Sequence, residues 1–253
     1  MACTFERPER GARLWWLGQA GFAVRFAGGP LLAVDPCLSD AVERLHSFKR
    51  LSLPAVAAED LPVAWLLCTH EHTDHLDPDA VATVARTRPS CRFAGPASCR
   101  GSFADAGVSP ERVSVLSAGS ALDLGGCRVE VLKADHGDLS ADALMLVLSG
   151  SGVRLAFTGD TAWRADLFAP LADPRCDLLA PCINGSFGNM NHLDAARAVQ
   201  QVAPRMAIPC HFWTFAEQGA GDPLGFVHAC AALAPGARAL LLKPGEPLDV
   251  APA

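Results

Sequence analysis

The sequence predicts an α/β protein, and three observations carry this prediction. Short apolar runs bounded by Gly, Pro or Asp recur along the chain and indicate buried strands. Segments with helix formers and an apolar stripe, such as residues 78–87, lie between some of these runs. Histidine and aspartate follow directly after several of the apolar runs, which is where an α/β protein places its chemistry.

The strands, in chain order, are predicted over residues 14–18, 22–26, 31–34, 64–68, 92–95, 113–116, 121–124, 128–132, 143–148, 153–157, 177–183, 205–209 and 239–242. The helices are predicted over residues 78–87, 97–106, 163–168, 192–202 and 223–233. Asp77 and Pro78 provide an N-cap and a first-turn proline, and Gly107 ends the second helix. Residues 39–58 are less regular and are expected to form an excursion near the mouth of a site. No linker divides the chain, so we expect a single domain over residues 1–253.

Charge and composition exclude several classes of protein. The net charge of −6 and the absence of any Lys/Arg run argue against a nucleic-acid surface. No segment approaches the ~18 apolar residues of a membrane span, and residues 1–11 lack the apolar core of a signal peptide. The 10 Cys lack CxxC spacing, so we expect free, buried thiols in a cytoplasmic protein. The expected partner is a small-molecule substrate, and the sequence leaves open whether the chain forms a homo-oligomer.

The segment over residues 66–77 carries the strongest functional signal. A buried strand leads into three histidines and an aspartate within six residues, whereas the whole chain has only 8 His. His70 and His72 are two apart, so an extended backbone can aim both rings at one side. Asp74 and His75 follow at the turn into the helix and can face a second point nearby. Imidazole and carboxylate together suit zinc, manganese or iron. The alternative interpretation is a polar surface loop, but the spacing favours two adjacent metals.

His70-x-His72-x-Asp74-His75 resembles the signature of the metallo-β-lactamase superfamily. The resemblance implies a four-layer αββα sandwich with two mixed β-sheets flanked by helices. It implies two divalent metal ions per chain, zinc or manganese with iron also accepted. The implied ligands are His70, His72 and His136 for the first metal, Asp74, His75 and His211 for the second, and Asp160 as the bridge.

Three of these implied ligands lie outside the signature, and each has an ordinary structural alternative. His136 in a polar loop would more often be structural or exposed. Asp160 follows an apolar strand and a glycine, where the backbone can approach a ligand, but it could also be a turn residue. His211 follows the predicted strand 205–209. The strands before His70 and before Asp160 suggest a weak internal duplication.

The sequence Trp-Leu-Gly-Gln-Ala-Gly-Phe at residues 16–22 and the following Asp35-Pro36 resemble one branch of the superfamily, the proteins similar to L-ascorbate-6-phosphate lactonase. The loop over residues 184–191 adds to this resemblance. Its glycines and amides could present N–H groups to an anion, or simply connect a strand to a helix capped by Asn191. The candidate substrate-binding residues are Asn184, Gly185, Asn189, Asn191, His192 and Trp213. Asp35, Thr69 and Asp77 are candidates to hold the ligand rings in place.

The function implied is hydrolysis by a hydroxide that bridges two metals, with Asp74 or Asp160 passing the proton. The branch resemblance implies a lactone or ester of a small sugar-like metabolite. A phosphorylated substrate would require Arg or Lys nearby, and the site loops offer only Arg164 and the distant Lys49-Arg50. The alternatives are a metal-dependent phosphodiesterase and a metal-stabilised binding module without enzymatic activity.

Overall fold

The computed structural model describes residues 4–219 and 221–253. Its strands are β1 Ala12–Gly18, β2 Gly21–Phe26, β3 Leu31–Val34, β4 Trp65–Leu67, β5 Arg92–Gly95, β6 Val113–Val115, β7 Ala121–Asp123, β8 Arg128–Lys133, β9 Leu144–Gly150, β10 Val153–Phe157, β11 Leu178–Ala180, β12 Met206–Ala207, β13 Arg238–Ala239 and β14 Pro247–Val250. Its α-helices are α1 Ala41–His46, α2 Pro78–Thr87, α3 Cys99–Asp105, α4 Ala165–Ala172, α5 His192–Val202 and α6 Pro223–Leu233. None of these described helices is long and apolar enough to cross a membrane.

The strands form two mixed sheets of seven, and the two sheets share one topology. The first has the order β14-β1-β2-β3-β4-β5-β6, and the second has the order β13-β12-β11-β10-β9-β8-β7. In the first sheet, β14 to β3 pair antiparallel and β3 to β6 pair parallel. In the second, β7 to β10 pair antiparallel and β10 to β13 pair parallel. The structural equivalent of β10 is therefore β3, which corrects the predicted match between the strands before His70 and Asp160.

The alternation of side chains along each strand creates the layers. In β1, Leu14 and Trp16 face the core between the sheets, whereas Trp15 and Leu17 join the cluster beneath α2 and α3. Phe22 and Phe157 meet across the sheets with ring centroids 5.1 Å apart. Helices α4 to α6 cover the outer face of the second sheet with buried apolar side chains. The predicted αββα sandwich is confirmed.

Two elements differ from the sequence prediction. The segment Pro247–Val250 was not predicted as a strand, yet β14 pairs with β1 at the edge of the first sheet. Its exposed Pro247 and Asp249 alternate with half-buried Leu248 and buried Val250, so the segment lacks the apolar run that marks a buried strand. The predicted helix over residues 163–168 instead spans Ala165–Ala172 and contains Pro170. The buried guanidinium of Arg154 donates to the carbonyl oxygens of Pro170 and Leu171 at the end of this helix.

The cysteines agree with the prediction as far as the structure describes them. All nine described cysteines are buried and free, and burial raises their pKa values above that of an exposed thiol, to about 12 for Cys182. Cys3 lies outside the described residues. So do residues 1 and 2, which belong to the 1–11 segment of the signal-peptide prediction. The nine thiols are inert by this criterion, because the thiolate is the reactive form.

Candidate metal centre

The seven predicted ligands come together where the carboxyl ends of several strands meet at one edge of the sandwich. The loop after β4 brings His70, His72, Asp74 and His75, and the turn after β10 brings Asp160. Two groups of His and Asp that could hold a metal ion result. The first is His70, His72, His136 and Asp160, and the second is Asp74, His75 and His211, with the candidate ligand atoms of each group within 4.8 Å of one another.

The first group is held in a coordinating arrangement by its hydrogen bonds. His70 Nε2 and His72 Nδ1 lie 3.0 Å apart and face the same point. His72 Nε2 lies 3.1 Å from the carbonyl oxygen of Leu139, so a proton on Nε2 leaves Nδ1 free to bind a metal. His136 Nε2 lies 3.7 Å from Asp160 Oδ2. This set of imidazole nitrogens and carboxylate oxygens, with no thiolate, fits zinc, manganese or iron.

The second group also faces the Asp160 carboxylate, through its other oxygen. His211 Nε2 lies 3.1 Å from Asp74 Oδ2, and His75 Nε2 lies 3.5 Å from the same oxygen. Both Nε2 atoms lie 3.2 Å from Asp160 Oδ1. Asp160 therefore presents one oxygen to each group.

Unpartnered buried atoms test whether these residues fit a cation. Both ring nitrogens of His136 are buried and have no hydrogen-bond partner, and His75 Nε2 and Asp160 Oδ1 are buried without a hydrogen bond, although they lie 3.2 Å apart as an ion pair. Buried polar groups are normally paired, since an unpaired one costs about 1–3 kcal/mol. Here the unpaired atoms face one another across a small space, and each can donate an electron pair to a metal. The residues present therefore fit the implied metals.

Asp35 connects the end of β3 to the loop after β4, which carries the predicted ligand His75. Its carboxylate accepts hydrogen bonds from the Thr69 peptide N–H at 2.7 Å and the Thr69 hydroxyl at 2.6 Å. It also lies 2.8 Å from His75 Nδ1, which fixes the proton on Nδ1 and aims Nε2 at the second group. Asp77 has a different task, because it caps α2 and accepts from the peptide N–H groups of Leu38 and Ser39.

An Asp35→Ala variant is expected to bind metal about 10–100-fold more weakly at the second group while keeping its fold. The reason is that His75 loses the acceptor that sets its tautomer and ring orientation. Isothermal titration calorimetry, in which zinc is added to the metal-free variant, measures the effect. An Asp40→Ala variant is the control, since Asp40 is an exposed carboxylate near α1. If the two variants bound zinc with equal affinity in both binding steps of the titration, the role of Asp35 would be contradicted.

Two glutamines near Asp74 were missed by the sequence analysis. Gln19 Nε2 and Gln218 Nε2 donate to Asp74 Oδ2 at 2.8 and 2.9 Å, and Gln19 also donates to the Gln218 side-chain oxygen. Both side chains are buried. The only signal in the sequence is the position of Gln19 in the turn 18–21, because nothing marks Gln218. The pair fixes the rotamer of a predicted ligand.

Backbone strain is concentrated around the same residues. Gln19, Asp35 and His211 have φ angles of 51°, 45° and 62°, which non-glycine residues rarely adopt. Gly159 has φ of 56°, and a Cβ atom there would lie 2.8 Å from the Thr69 Cβ. Glycine at this position thus lets the turn that carries Asp160 pack directly against the loop that carries His70.

The electrostatics of the two groups differ in the metal-free chain. Burial lowers the pKa of His70 and of His136, so both imidazoles are neutral at neutral pH. Burial also acts to lower the pKa of His211, but the carboxylates of Asp160 and Asp74 outweigh it and raise that pKa to about 9. Asp160, Asp74 and Asp35 likewise outweigh burial at His75 and raise its pKa. The second group therefore holds protons that the first group lacks.

The second equivalent of metal is expected to release more protons than the first when metal-free protein is titrated near pH 7.5. A metal displaces the proton from each imidazolium it binds, so affinity at the second group rises with pH until His211 is neutral, above about pH 9. Affinity at the first group should change little over the same range. Calorimetry in buffers of different ionisation enthalpy counts the protons. Equal release in both steps would show that the two groups do not differ in this way.

A cavity of about 290 Å³ opens in front of the ligands. His72, Asp74, His136, Asp160 and His211 form its floor. The remaining lining residues are Val42, His46, Phe48, Glu71, Thr73, Leu139, Phe187 and Gln218. The irregular segment 39–58 thus contributes to the mouth of the site, as predicted.

The candidate substrate-binding residues do not line this cavity. They are Asn184, Gly185, Asn189, Asn191, His192 and Trp213. The peptide N–H groups of Gly185 and Met190 donate to carbonyl oxygens of the protein, so the loop uses these donors itself. Asn191 accepts from two N–H groups at the start of α5, which is the simpler alternative of the sequence analysis. Trp213 is 59% exposed and lines a separate apolar cleft.

Comparisons with known proteins agree with this fold and site. A model of the beta-lactamase superfamily domain matches residues 32–212, more than half of the chain. A UPF0173 metal-dependent hydrolase from Anaeromyxobacter dehalogenans is 30% identical over 250 residues, covering 92% of this chain and 85% of the relative. Another from Methanopyrus kandleri is 31% identical over 251 residues, covering 92% and 98%. Isothiocyanate hydrolase from Delia radicum gut bacteria superposes with a TM-score of 0.76 at 18% identity, covering 94% and 99% of the chains, which shows the fold alone.

The family model, the relatives that are 30% identical and the His and Asp groups able to bind metal together define the class of protein, a metal-dependent hydrolase. The chain belongs to the metallo-β-lactamase superfamily and, within it, to the UPF0173 metal-dependent hydrolases. The resemblance to the superfamily is therefore confirmed. The narrower resemblance to L-ascorbate-6-phosphate lactonase stays a prediction.

Proposed function

We propose that the chain hydrolyses a lactone or ester of a small metabolite with the help of two divalent metal ions. The observation that carries this proposal is the position of Asp160. Its Oδ1 faces His75 and His211 at 3.2 Å, and its Oδ2 faces His136 at 3.7 Å. A carboxylate that faces both groups can bridge two ions at the ~3.5–4 Å separation that supports hydrolysis. The sugar-like metabolite and the lactonase branch rest on sequence resemblance only.

Each ligand has a distinct role in this proposal. His70, His72 and His136 would hold the first ion, Asp74, His75 and His211 the second, and Asp160 both. Zinc or manganese, and also iron, suit this set, and when bound the two ions supply an activated hydroxide and polarise the substrate carbonyl. Asp35 holds the His75 ring in position.

Asp74 and Asp160 are the proposed groups for proton transfer to the leaving group. Burial acts to raise the pKa of each carboxyl, but His75 and His211 outweigh it and hold both pKa values well below the usual range. Both carboxylates are therefore ionised at neutral pH, as a proton acceptor must be. The amides of Gln19 and Gln218 donate to Asp74 Oδ2 and so fix the orientation of that carboxylate.

Elemental analysis of protein purified without chelator, together with hydrolysis assays, tests the proposal. We expect close to two metals per chain and hydrolysis of simple lactones or aryl esters. Activity on phosphodiesters but not on lactones would favour the phosphodiesterase alternative. Two bound metals without any hydrolysis would favour the binding module. One metal or none, not restored by added manganese or zinc, would overturn the two-metal mechanism.

We also propose that the chain is a single domain that works in the cytoplasm. One buried apolar cluster extends from Ala12 to Val250, which supports a single folding unit. The nine described thiols are free and buried, which suits a reducing compartment. Limited proteolysis tests the first part, because a single domain gives no stable fragment.

A further inference from the structure

We propose that the substrate is a neutral carbonyl compound with a compact apolar or aromatic arm, and that this arm carries no phosphate or second acid group. The inference rests on the proposed hydrolase function and adds the class of the substrate. It departs from the phosphorylated sugar lactone that the branch resemblance would suggest. Three features of the cavity carry it: an apolar wall, the placement of the nearby cations, and acidic groups in the lining.

The apolar wall lies opposite the ligands and is formed by Val42, Phe48, Leu139 and Phe187. The rings of Phe48 and Phe187 stack with centroids 6.3 Å apart and planes inclined by 30°. Phe187 is 48% exposed and Leu139 is 50% exposed, although both belong to the site. Exposed apolar side chains that converge on one cavity indicate that an apolar ligand group covers them.

Leu139 also fixes the distance between the wall and the metal ligands. Its carbonyl oxygen lies 3.1 Å from His72 Nε2, so its backbone is tied to the first group while its side chain lines the cavity. A carbonyl carbon at the ligands would therefore place its substituent against Leu139 and the two rings. The volume of about 290 Å³ accommodates a short alkyl chain or one ring as that substituent.

The cationic side chains near the site point elsewhere. No Lys or Arg is among the described residues that line the cavity. The guanidinium of Arg50 donates to the Ser39 carbonyl oxygen at 2.7 Å and lies over the Phe215 ring at 4.8 Å. Arg164 pairs with Asp135 and Asp166. Two of the three cations that the sequence offered to a phosphate, Arg50 and Arg164, are therefore already engaged, and the third, Lys49, does not line the cavity.

The remaining charged lining residue outside the ligands is acidic. Glu71 Oε2 accepts from the hydroxyls of Ser98 and Ser140 at 2.9 and 2.7 Å, which holds the carboxylate in place beside the cavity. His46 and Thr73 also line the cavity and bond to each other, with His46 Nε2 2.9 Å from Thr73 Oγ1. A second anionic group on a substrate would face the Glu71 carboxylate and the aromatic wall. Neither can pair with it, whereas a neutral apolar arm avoids both costs.

The test compares four lactones with the manganese- or zinc-loaded protein: γ-butyrolactone, its γ-phenyl derivative, glucono-δ-lactone and the phosphate monoester of glucono-δ-lactone. We expect kcat/KM to be roughly tenfold or more higher for the phenyl derivative than for γ-butyrolactone, as apolar contact in a fitted pocket allows. We expect phosphorylation to lower kcat/KM for the gluconolactone. A phosphate that raises kcat/KM, or a phenyl group that lowers it, would overturn the proposal.

A pair of matched variants locates the effect in the wall. Phe187→Lys should reduce the preference for the phenyl derivative several-fold and should raise kcat/KM for the phosphorylated lactone. Leu193→Lys is the control, because Leu193 is 47% exposed on α5 and does not line the cavity. Identical preferences in Phe187→Lys and the parent, with the control also unchanged, would show that the wall does not select the substrate.

A binding measurement separates failure of this proposal from failure of the hydrolase proposal. Metal-loaded protein is titrated calorimetrically with phenylbutyrate, gluconate and gluconate phosphate, which resemble products and require no turnover. Tightest binding of phenylbutyrate, weakened in Phe187→Lys, supports the apolar class even if no lactone is hydrolysed. Tightest binding of gluconate phosphate overturns it even if lactones are hydrolysed.

Discussion

An Asp160→Asn variant is expected to lose on the order of a thousandfold in hydrolytic rate and to bind fewer than two metals per chain. Two dications held close together repel each other, and the Asp160 carboxylate is the described group that faces both His/Asp groups. Asparagine keeps the volume but removes the negative charge, so several kcal/mol of charge stabilisation are lost. Elemental analysis and the initial rate on the best lactone measure the two effects.

An Asp166→Asn variant is the matched control for this substitution. Asp166 lies in the same part of the chain but is exposed and pairs with Arg164 on the surface. It should keep the parent's metal content and rate. If Asp160→Asn retained two metals and lost rate alone, Asp160 would be a proton carrier and not a bridge. Full activity with full metal content would refute both roles.

Removal of metal by a chelator is expected to abolish hydrolysis and to lower the Tm by on the order of 10 °C. A ligand at ~1,000 times its Kd adds about 4 kcal/mol to the free energy of unfolding, and each kcal/mol shifts the Tm of a chain of this size by roughly 2–4 °C. The metal-free chain keeps buried atoms without a hydrogen bond on His75, His136 and Asp160.

Differential scanning calorimetry with and without EDTA measures the shift. Added zinc or manganese should restore both Tm and rate, which shows that the loss is reversible. In Asp160→Asn the chelator should lower the Tm by less, because less metal is bound at the start. An unchanged Tm in the parent would mean that metal binding is weak or does not involve these buried groups.

The sequence was most informative where chemistry and position in a strand coincide. His70, His72, Asp74 and His75 follow one buried strand, and the structure brings them together with His136, Asp160 and His211, although their role as ligands stays a prediction. This works because carboxyl ends of parallel strands meet at one edge of a sheet. The αββα architecture was implied by the resemblance of this motif to the superfamily signature, and it is confirmed.

The sequence was least informative where a contact joins distant segments. Gln19 and Gln218 are ordinary polar residues in the sequence and acquire a role only because both reach Asp74. The strand β14 has only one buried residue, Val250, which is too little to predict a strand, and it is defined by its pairing with β1. The 184–191 loop shows the reverse, because its composition matched an anion site, yet the N–H groups of Gly185, Asn189 and Met190 donate to carbonyl oxygens within the fold.

Because the two sheets repeat one topology, the proposed metal ions would have a structural role in addition to their role in hydrolysis. One repeat, β14 with β1 to β6, encloses the loop that supplies His70, His72, Asp74 and His75, whereas the other, β7 to β13, supplies His136, Asp160 and His211. Each His/Asp group therefore takes atoms from both repeats. A bound ion would act as a removable cross-link between the two repeats of this strand topology, in the way that a disulfide joins two segments. Catalysis and cohesion of the two halves would then depend on the same few bonds.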